Sequence, residues 1–158
     1  MRTFYNRFQE AAEQWPDAVA LEMQRCDRLE RVTYAELQKA TTAIGGWLRG
    51  SGYHPGTRLA FLAANSPRWV AAYLGALAAG CIAVPLDTAF HFDQVAKLLR
   101  DSGSTLLFTD TQHFSAARHA ANDLGVQLAL LEGVEVGSGV GAQATHAVVH
   151  LDEILAAA

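Results

Sequence analysis

Lysine is nearly absent from this chain of 158 residues: Lys39 and Lys97 are the only two, and both fall inside stretches of helical periodicity. Cysteine is as scarce, with Cys26 and Cys81 far apart in sequence and no Cys-x-x-Cys pair. That excludes a disulfide scaffold and points to a reducing compartment. Four prolines and 13 glycines are too few for a collagen-like or low-complexity chain. Charged residues make up 18% against 51% hydrophobic, which excludes a disordered tail. Long uninterrupted apolar runs are missing too. The longest, Trp69 to Pro85, is broken by Gly75 and Gly80 and changes from helix to strand pattern, so a membrane span is not expected. The N-terminal MRTFYNRFQEAAEQW carries Arg2, Arg7, Glu10 and Glu13 and does not form a signal peptide. The expected location is cytoplasmic.

Basic residues number 12 against 16 acidic ones, for a net charge of −4, and they form no stripe. The electrostatic footprint of a nucleic-acid binder is therefore missing. Residues 1–110 are balanced, while 111–158 hold Arg118 alone against Asp123, Glu132, Glu135, Asp152 and Glu153. That acidic end reads as solvated surface.

What is present is a βα rhythm. Phe4, Phe8, Ala11, Ala12 and Trp15 recur at helical spacing, which predicts an amphipathic helix over 3–14 that stops before Pro16. Val19, Leu21 and Met23 alternate with polar neighbours as a half-exposed strand. Charged residues from Arg25 to Arg31 suggest a turn, with Val32 in a short returning strand. Thr33 and Glu36 have capping-box spacing, and the helix that follows is expected to bury Leu37, Ala40, Ile44 and Leu48. Arg58 to Ala63 is a short apolar run, and Asn65-Ser66-Pro67 then opens a helix expected to reach Gly80. Strands at 81–85, 105–109 and 126–131 alternate with helices at 92–101 and 112–123. Such alternation predicts an α/β fold with a mostly parallel sheet flanked by helices on both faces. The ordered subdomain is expected over 1–131. Residues 132–158 read as a Gly-rich loop, EGVEVGSGVGAQATH, and a truncated continuation, AVVHLDEILAAA.

In open α/β sheets ligands bind beyond the carboxyl ends of the strands. The loops expected there are Ala64-Asn65-Ser66, Leu86-Asp87-Thr88-Ala89 and Asp110-Thr111. Asn65 and Ser66 are most economically a helix cap; Asp87 and Thr88 could rim a ligand or simply end a strand. No GxGxxG joins a strand to a helix. Gly45-Gly46 lies within a helix, where close packing explains it, and Gly137-Ser138-Gly139-Val140-Gly141 lacks a preceding strand and a basic partner. His146 and His150 have metal-like spacing without carboxylate or thiol company, and His113 and His119 do not share a helix face. Ser66, Ser102 and Ser115 lack a GxSxG setting. Arg68 beside Trp69 reads as ordinary helix amphipathicity. These residues predict no catalytic constellation and no metal site.

Three segments, taken together, are distinctive: Arg31-Val32-Thr33-Tyr34-Ala35-Glu36-Leu37, then Asn65-Ser66-Pro67, then Leu77-Ala78-Ala79-Gly80-Cys81-Ile82-Ala83-Val84-Pro85-Leu86-Asp87. In that order and spacing, with Asp101-Ser102-Gly103 and the strand ending Thr109-Asp110, the chain resembles the N-terminal region of the AMP-forming adenylating enzymes. That superfamily includes acyl- and aryl-CoA synthetases, peptide-synthetase adenylation domains and beetle luciferases. The resemblance covers about residues 3–131. It implies a ligase that activates a carboxylate with ATP and Mg²⁺ as an acyl-adenylate and passes the acyl group to a thiol, commonly that of CoA. Cys81-Ile82-Ala83 with Pro85-Leu86-Asp87 leans towards acyl-CoA synthetases, with fatty acids as the expected substrates.

The family's phosphate loop, acyl pocket, adenine and ribose contacts and catalytic Lys all lie downstream of the matched region. The expectation is thus an N-terminal fragment, inactive alone and free to dimerise through apolar surface left uncovered. In acetyl-CoA-synthetase-like members the loop after the corresponding strand borders the CoA nucleotide, which by position implicates Asp87, Thr88 and Ala89. His91 stands where the family often has a hydroxyl residue. The rival readings are a stand-alone α/β interaction module without ligase chemistry and a flavodoxin-like regulator, the latter opposed by the lack of an Asp cluster closing a strand.

Overall fold

A computed structural model describes residues 3–132 and 148–157. The helix α1 (Phe4–Gln14) leads into a hairpin of β1 (Val19–Gln24) and β2 (Leu29–Thr33). The hairpin turn is tighter than the run of charges suggests. Arg25, just past β1, pairs with Glu30 at 2.8 Å and Arg31 with Glu22 at 2.9 Å, so Glu22, Glu30 and Arg31 lie on paired strands. Next come α2 (Tyr34–Gly50), β3 (Arg58–Leu62), α3 (Pro67–Ala78), β4 (Ile82–Pro85), α4 (Phe92–Ser102), β5 (Leu106–Thr109), α5 (Phe114–Asn122) and β6 (Gln127–Leu130). The last described elements are β7 (Val149–His150) and α6 (Leu151–Ala156). Of the sequence-predicted Gly-rich loop, residues 133–146 lie outside the described residues.

The five-stranded sheet has the order β4-β3-β5-β6-β7, parallel at every pairing. The predicted α/β class with a parallel sheet holds. Strand alternation sends Leu59, Phe61, Leu106 and Phe108 to one face, under α1, α2, α3 and α6. Ala60, Leu62, Leu107 and Leu128 go to the other, under Val95 and Leu99 of α4 and Ala117, Ala120 and Ala121 of α5. A sheet covered on both faces needs strands that are apolar throughout, which is why β5 is buried at every position.

The helix ends follow local chemistry. Thr3 and Thr33 accept from the N–H groups of Asn6 and Glu36, and each of those side chains returns a bond to its cap's backbone. Ser66 Oγ accepts from Trp69 N–H at 3.1 Å, with Pro67 in the first helical position. At α4 the return bond comes from inside the helix, Gln94 Oε1 accepting from His91 N–H at 3.0 Å. The helix α3 stops short of Gly80, which takes a left-handed φ of +76° against Pro55 and so turns the chain into β4. Of the glycine pair in α2, one packs closely: Gly45 lies against Ala78 and the Gly75 carbonyl, whereas Gly46 faces open space. The tightest approach is at Gly75, where a Cβ would stand 2.7 Å from Ile44 Cγ2.

Candidate functional site at the carboxyl edge of the sheet

From β3 the chain crosses to β4 on one side through α3, then returns past it to β5 through α4 on the opposite face. The topological switch point lies between β3 and β5, where an open α/β sheet ordinarily opens a crevice for a ligand. Here the position is bridged by Asp110, just beyond β5. Its Oδ2 accepts from Ala64 N–H at 2.8 Å, and its Oδ1 accepts from His113 N–H at 2.8 Å. The His113 Nδ1 lies 2.6 Å from the same Oδ1. Asp110 is 6% exposed. Buried carboxylates need such partners, and three of them explain why this one tolerates its place. The carboxylate fastens the β3–α3 loop to the start of α5, and the strand-end groups there are spent on one another.

Sequence inspection places Asp110 in a strand-end loop but leaves His113 outside any site. The signal was available: Asp110 and His113 stand three residues apart at a helix start, the spacing of a local capping pair. Arg68 reads in the sequence only as helix amphipathicity. It donates to the Leu131 carbonyl at 2.9 Å and pairs with Asp152, joining α3 to the end of β6 and to α6. Amphipathicity does not account for it, and a partner 84 residues away gives no local signal.

Asp87, Thr88 and Ala89 form the exposed loop after β4, at the same edge but to one side of the Asp110 bridge. Asp87 Oδ1 accepts from Ala89 N–H at 2.9 Å, an Asx turn that fixes the loop's course. Ser66 serves as a cap, as expected, and Asn65 is exposed beside it. Ser102 Oγ bonds the Leu99 carbonyl and Ser104, so it too is spent locally. His119 stacks edge-on against Phe92 at 4.4 Å. His150 lies on β7, while His146 falls outside the described residues. Thr111 Oγ1 reaches Glu132 Oε2 at 3.1 Å.

Two shifts of acidity lie elsewhere. Burial pushes the Cys81 thiol up, and burial together with Cys81 pushes the Tyr53 hydroxyl up. Both sit at the opposite, amino edge of the sheet, where Cys81 Sγ faces the His54 carbonyl at 3.7 Å. A thiol held protonated is a packing group, not a nucleophile.

Among the described residues no group of three His, Cys, Asp or Glu could hold a metal ion, and no helix is long and apolar enough to cross a membrane. Lys39 and Lys97 are exposed in mid-helix, away from the strand-end loops.

Comparison with known proteins gives this geometry its setting. Residues 8–150 match the family described as AMP-binding enzyme. A 3-hydroxybenzoate–CoA/4-hydroxybenzoate–CoA ligase of Thauera aromatica is 38% identical over 93 residues, covering 59% of this chain and 18% of the relative. Among solved structures, a benzoate CoA ligase from Burkholderia xenovorans LB400 superposes with a TM-score of 0.81 at 20% identity. That match covers 100% of this chain and 29% of the other. The Klebsiella oxytoca NpsA N-terminal subdomain matches 99% of this chain and 32% of that one, with a TM-score of 0.66 at 17% identity. These two likenesses concern the fold, which is that of the N-terminal subdomain. The chain spans about a fifth of the Thauera ligase and under a third of the matched benzoate ligase. With nearly its whole described length matched, the chain belongs to the AMP-binding enzyme family, the adenylate-forming ligases.

Proposed function

We propose that this chain serves as the N-terminal α/β subdomain of an AMP-forming carboxylate–CoA ligase. Such an enzyme activates a carboxylate as its acyl-adenylate with ATP and Mg²⁺ and transfers the acyl group to CoA. The observation that carries this reading is the family match over residues 8–150, on a sheet whose caps and strand order build the same subdomain. Between the two acyl classes, an aromatic carboxylate is favoured over the fatty acids suggested by the sequence, because the Thauera relative acts on hydroxybenzoates. The acyl pocket would come from residues outside this chain, as would the phosphate loop.

The subdomain contributes scaffold and one ligand-facing loop. Asp87, Thr88 and Ala89 are exposed at the carboxyl edge, and the Asx turn gives them a fixed shape. They are proposed to border the CoA nucleotide. In an intact ligase, Ala89→Trp is expected to raise the KM for CoA with adenylation unchanged; an unaltered KM for CoA would overturn that assignment. A cytoplasmic location belongs to the same reading. So does dimerisation of the isolated chain, supported by the edge strand β4 with Ile82 46% exposed, and light scattering would test it.

The main test is ATP–pyrophosphate exchange on the full product of the gene, with benzoate, 3-hydroxybenzoate and decanoate offered in turn. Exchange dependent on an aromatic acid is expected, while the 158 residues alone give none. Exchange with decanoate alone would return the substrate to the fatty acids. No carboxylate-dependent exchange in the full product would favour a non-catalytic module.

A further inference from the structure

The β7–α6 segment is attached differently from every other βα unit here. Its strand has two residues and its helix six, far below the ~12–15 residues at which a helix begins to hold in water by itself. Leu151 and Ile154 are buried, but Leu155 is half-exposed and borders gaps on two sides. One is a cavity of about 120 Å³ against Leu37, Ala40, Pro67 and Ala71. The other is a groove of about 240 Å³ along Glu36, Lys39, Ala40 and Ala43. Close packing, the usual source of rigidity, is thus incomplete along this helix.

Beyond the backbone pairing of β7 with β6, the polar attachment converges on one group. The Arg68 guanidinium holds the Leu131 carbonyl at the end of β6 and Asp152 in the first turn of α6. Glu30 and Glu36 line the same cavity, but Glu30 is paired with Arg25 and Glu36 is bound to the Thr33 cap. The pair with Asp152 is half-exposed, with side chains 37% and 44% accessible, so it is open to screening by salt.

We propose that residues 148–157 form a strap that opens as a unit while the rest of the sheet stays folded, and that Arg68 sets how often it opens. Opening uncovers the apolar strip along α2 and releases the guanidinium from Asp152, leaving its bond to the Leu131 carbonyl. The inference stands independently of the proposed ligase function.

Hydrogen exchange on the 158-residue protein, followed by mass spectrometry, tests it. Amides of 150–157 are expected to exchange through an opening that those of β3 and β5 do not share. Arg68→Ala should speed the strap amides roughly tenfold, the loss of one charged hydrogen-bonding group, and leave β5 unchanged. Asp152→Asn should act in the same direction and covers the case in which Arg68→Ala does not fold. Salt at about 0.5 M should speed the strap in the parent protein and have little effect in Arg68→Ala. A strap that exchanges only together with β5 would overturn the proposal. So would strap amides indifferent to both substitutions.

Discussion

The centre of the sheet and its far margin are built from the same unit, a short parallel strand feeding a helix, yet they are held by different means. At the centre, β3 and β5 are paired on both sides, apolar on both faces, and closed at the carboxyl end by a buried carboxylate with three partners. At the margin, β7 pairs on one side and α6 relies on two buried side chains and a half-exposed guanidinium. Stability in a parallel sheet therefore depends less on the unit itself than on how many of its faces find a partner. The same contrast bears on function. The switch point, where this topology usually receives a ligand, is fastened internally, and an exposed loop lies beside it at Asp87–Ala89.

The largest expected effect tests that contrast directly. Phe108 is fully buried and stacks on Phe61 at 4.9 Å between centroids. Phe108→Ala should lower the unfolding free energy by about 3–5 kcal/mol, a large part of the total for a chain of this size. Ile154→Ala at the margin should cost about 1–2 kcal/mol at most, less than the usual price of a buried isoleucine. Its loss is capped by the free energy of opening the strap. Urea unfolding followed by far-ultraviolet circular dichroism measures both, and equal losses would erase the distinction between centre and margin.

The bridge at the switch point comes next. Asp110→Asn keeps the size of the side chain but replaces one accepting oxygen with a donor facing an N–H. About 2–3 kcal/mol should be lost. Asp87→Asn in the exposed loop can keep its Asx turn and should stay within about 0.5 kcal/mol. Thermal unfolding of the two variants side by side gives the comparison.

Much of this was legible in the sequence, and the boundary of legibility is physical. Caps are local, so Thr33–Glu36 and Ser66-Pro67 could be read from spacing. The apolar runs of β3 and β5 showed a sheet covered on both faces. What could not be read were side chains whose partners are remote in sequence. Arg68 looked like the polar face of a helix because Asp152 and the Leu131 carbonyl come together with it only in the folded sheet. Asp110 stood in a recognised loop, but its bond to Ala64 depends on β3 and β5 being neighbours although β4 lies between them in sequence. The glycine pair in α2 shows the same limit: spacing gave a reason for both, and packing uses only Gly45.

Gly75 of α3 and Gly46 of α2 give a finer probe of the centre. Gly75→Ala would place a Cβ 2.7 Å from Ile44 Cγ2, inside contact distance. Overpacking of about 1–3 kcal/mol should outweigh the gain in helix propensity of up to about 1 kcal/mol, leaving the variant less stable. Gly46→Ala meets open space and should be more stable than the parent by about 0.5–1 kcal/mol. Opposite signs for two Gly→Ala changes in packed helices would confine the tight contact to the crossing of α2 and α3.

The smallest expected effect lies at the cap between the hairpin and α2, on an exposed side chain. Glu36 accepts from the Thr33 backbone N–H at 2.8 Å and lies near its hydroxyl at 3.1 Å. Those bonds, the backbone one foremost, hold its carboxyl below the usual glutamate range. A carboxyl whose folded value is depressed adds stability that is complete above its unfolded value and lost as pH falls through the folded one. Glu36→Gln can keep the capping geometry but cannot titrate there. The difference in melting temperature between parent and Glu36→Gln should therefore shrink from about pH 6 to about pH 3. Because the carboxylate is exposed, the whole change should be small beside those at Phe108 and Asp110. A pH-independent difference would mean that the cap acts through geometry alone, without a contribution from the charge.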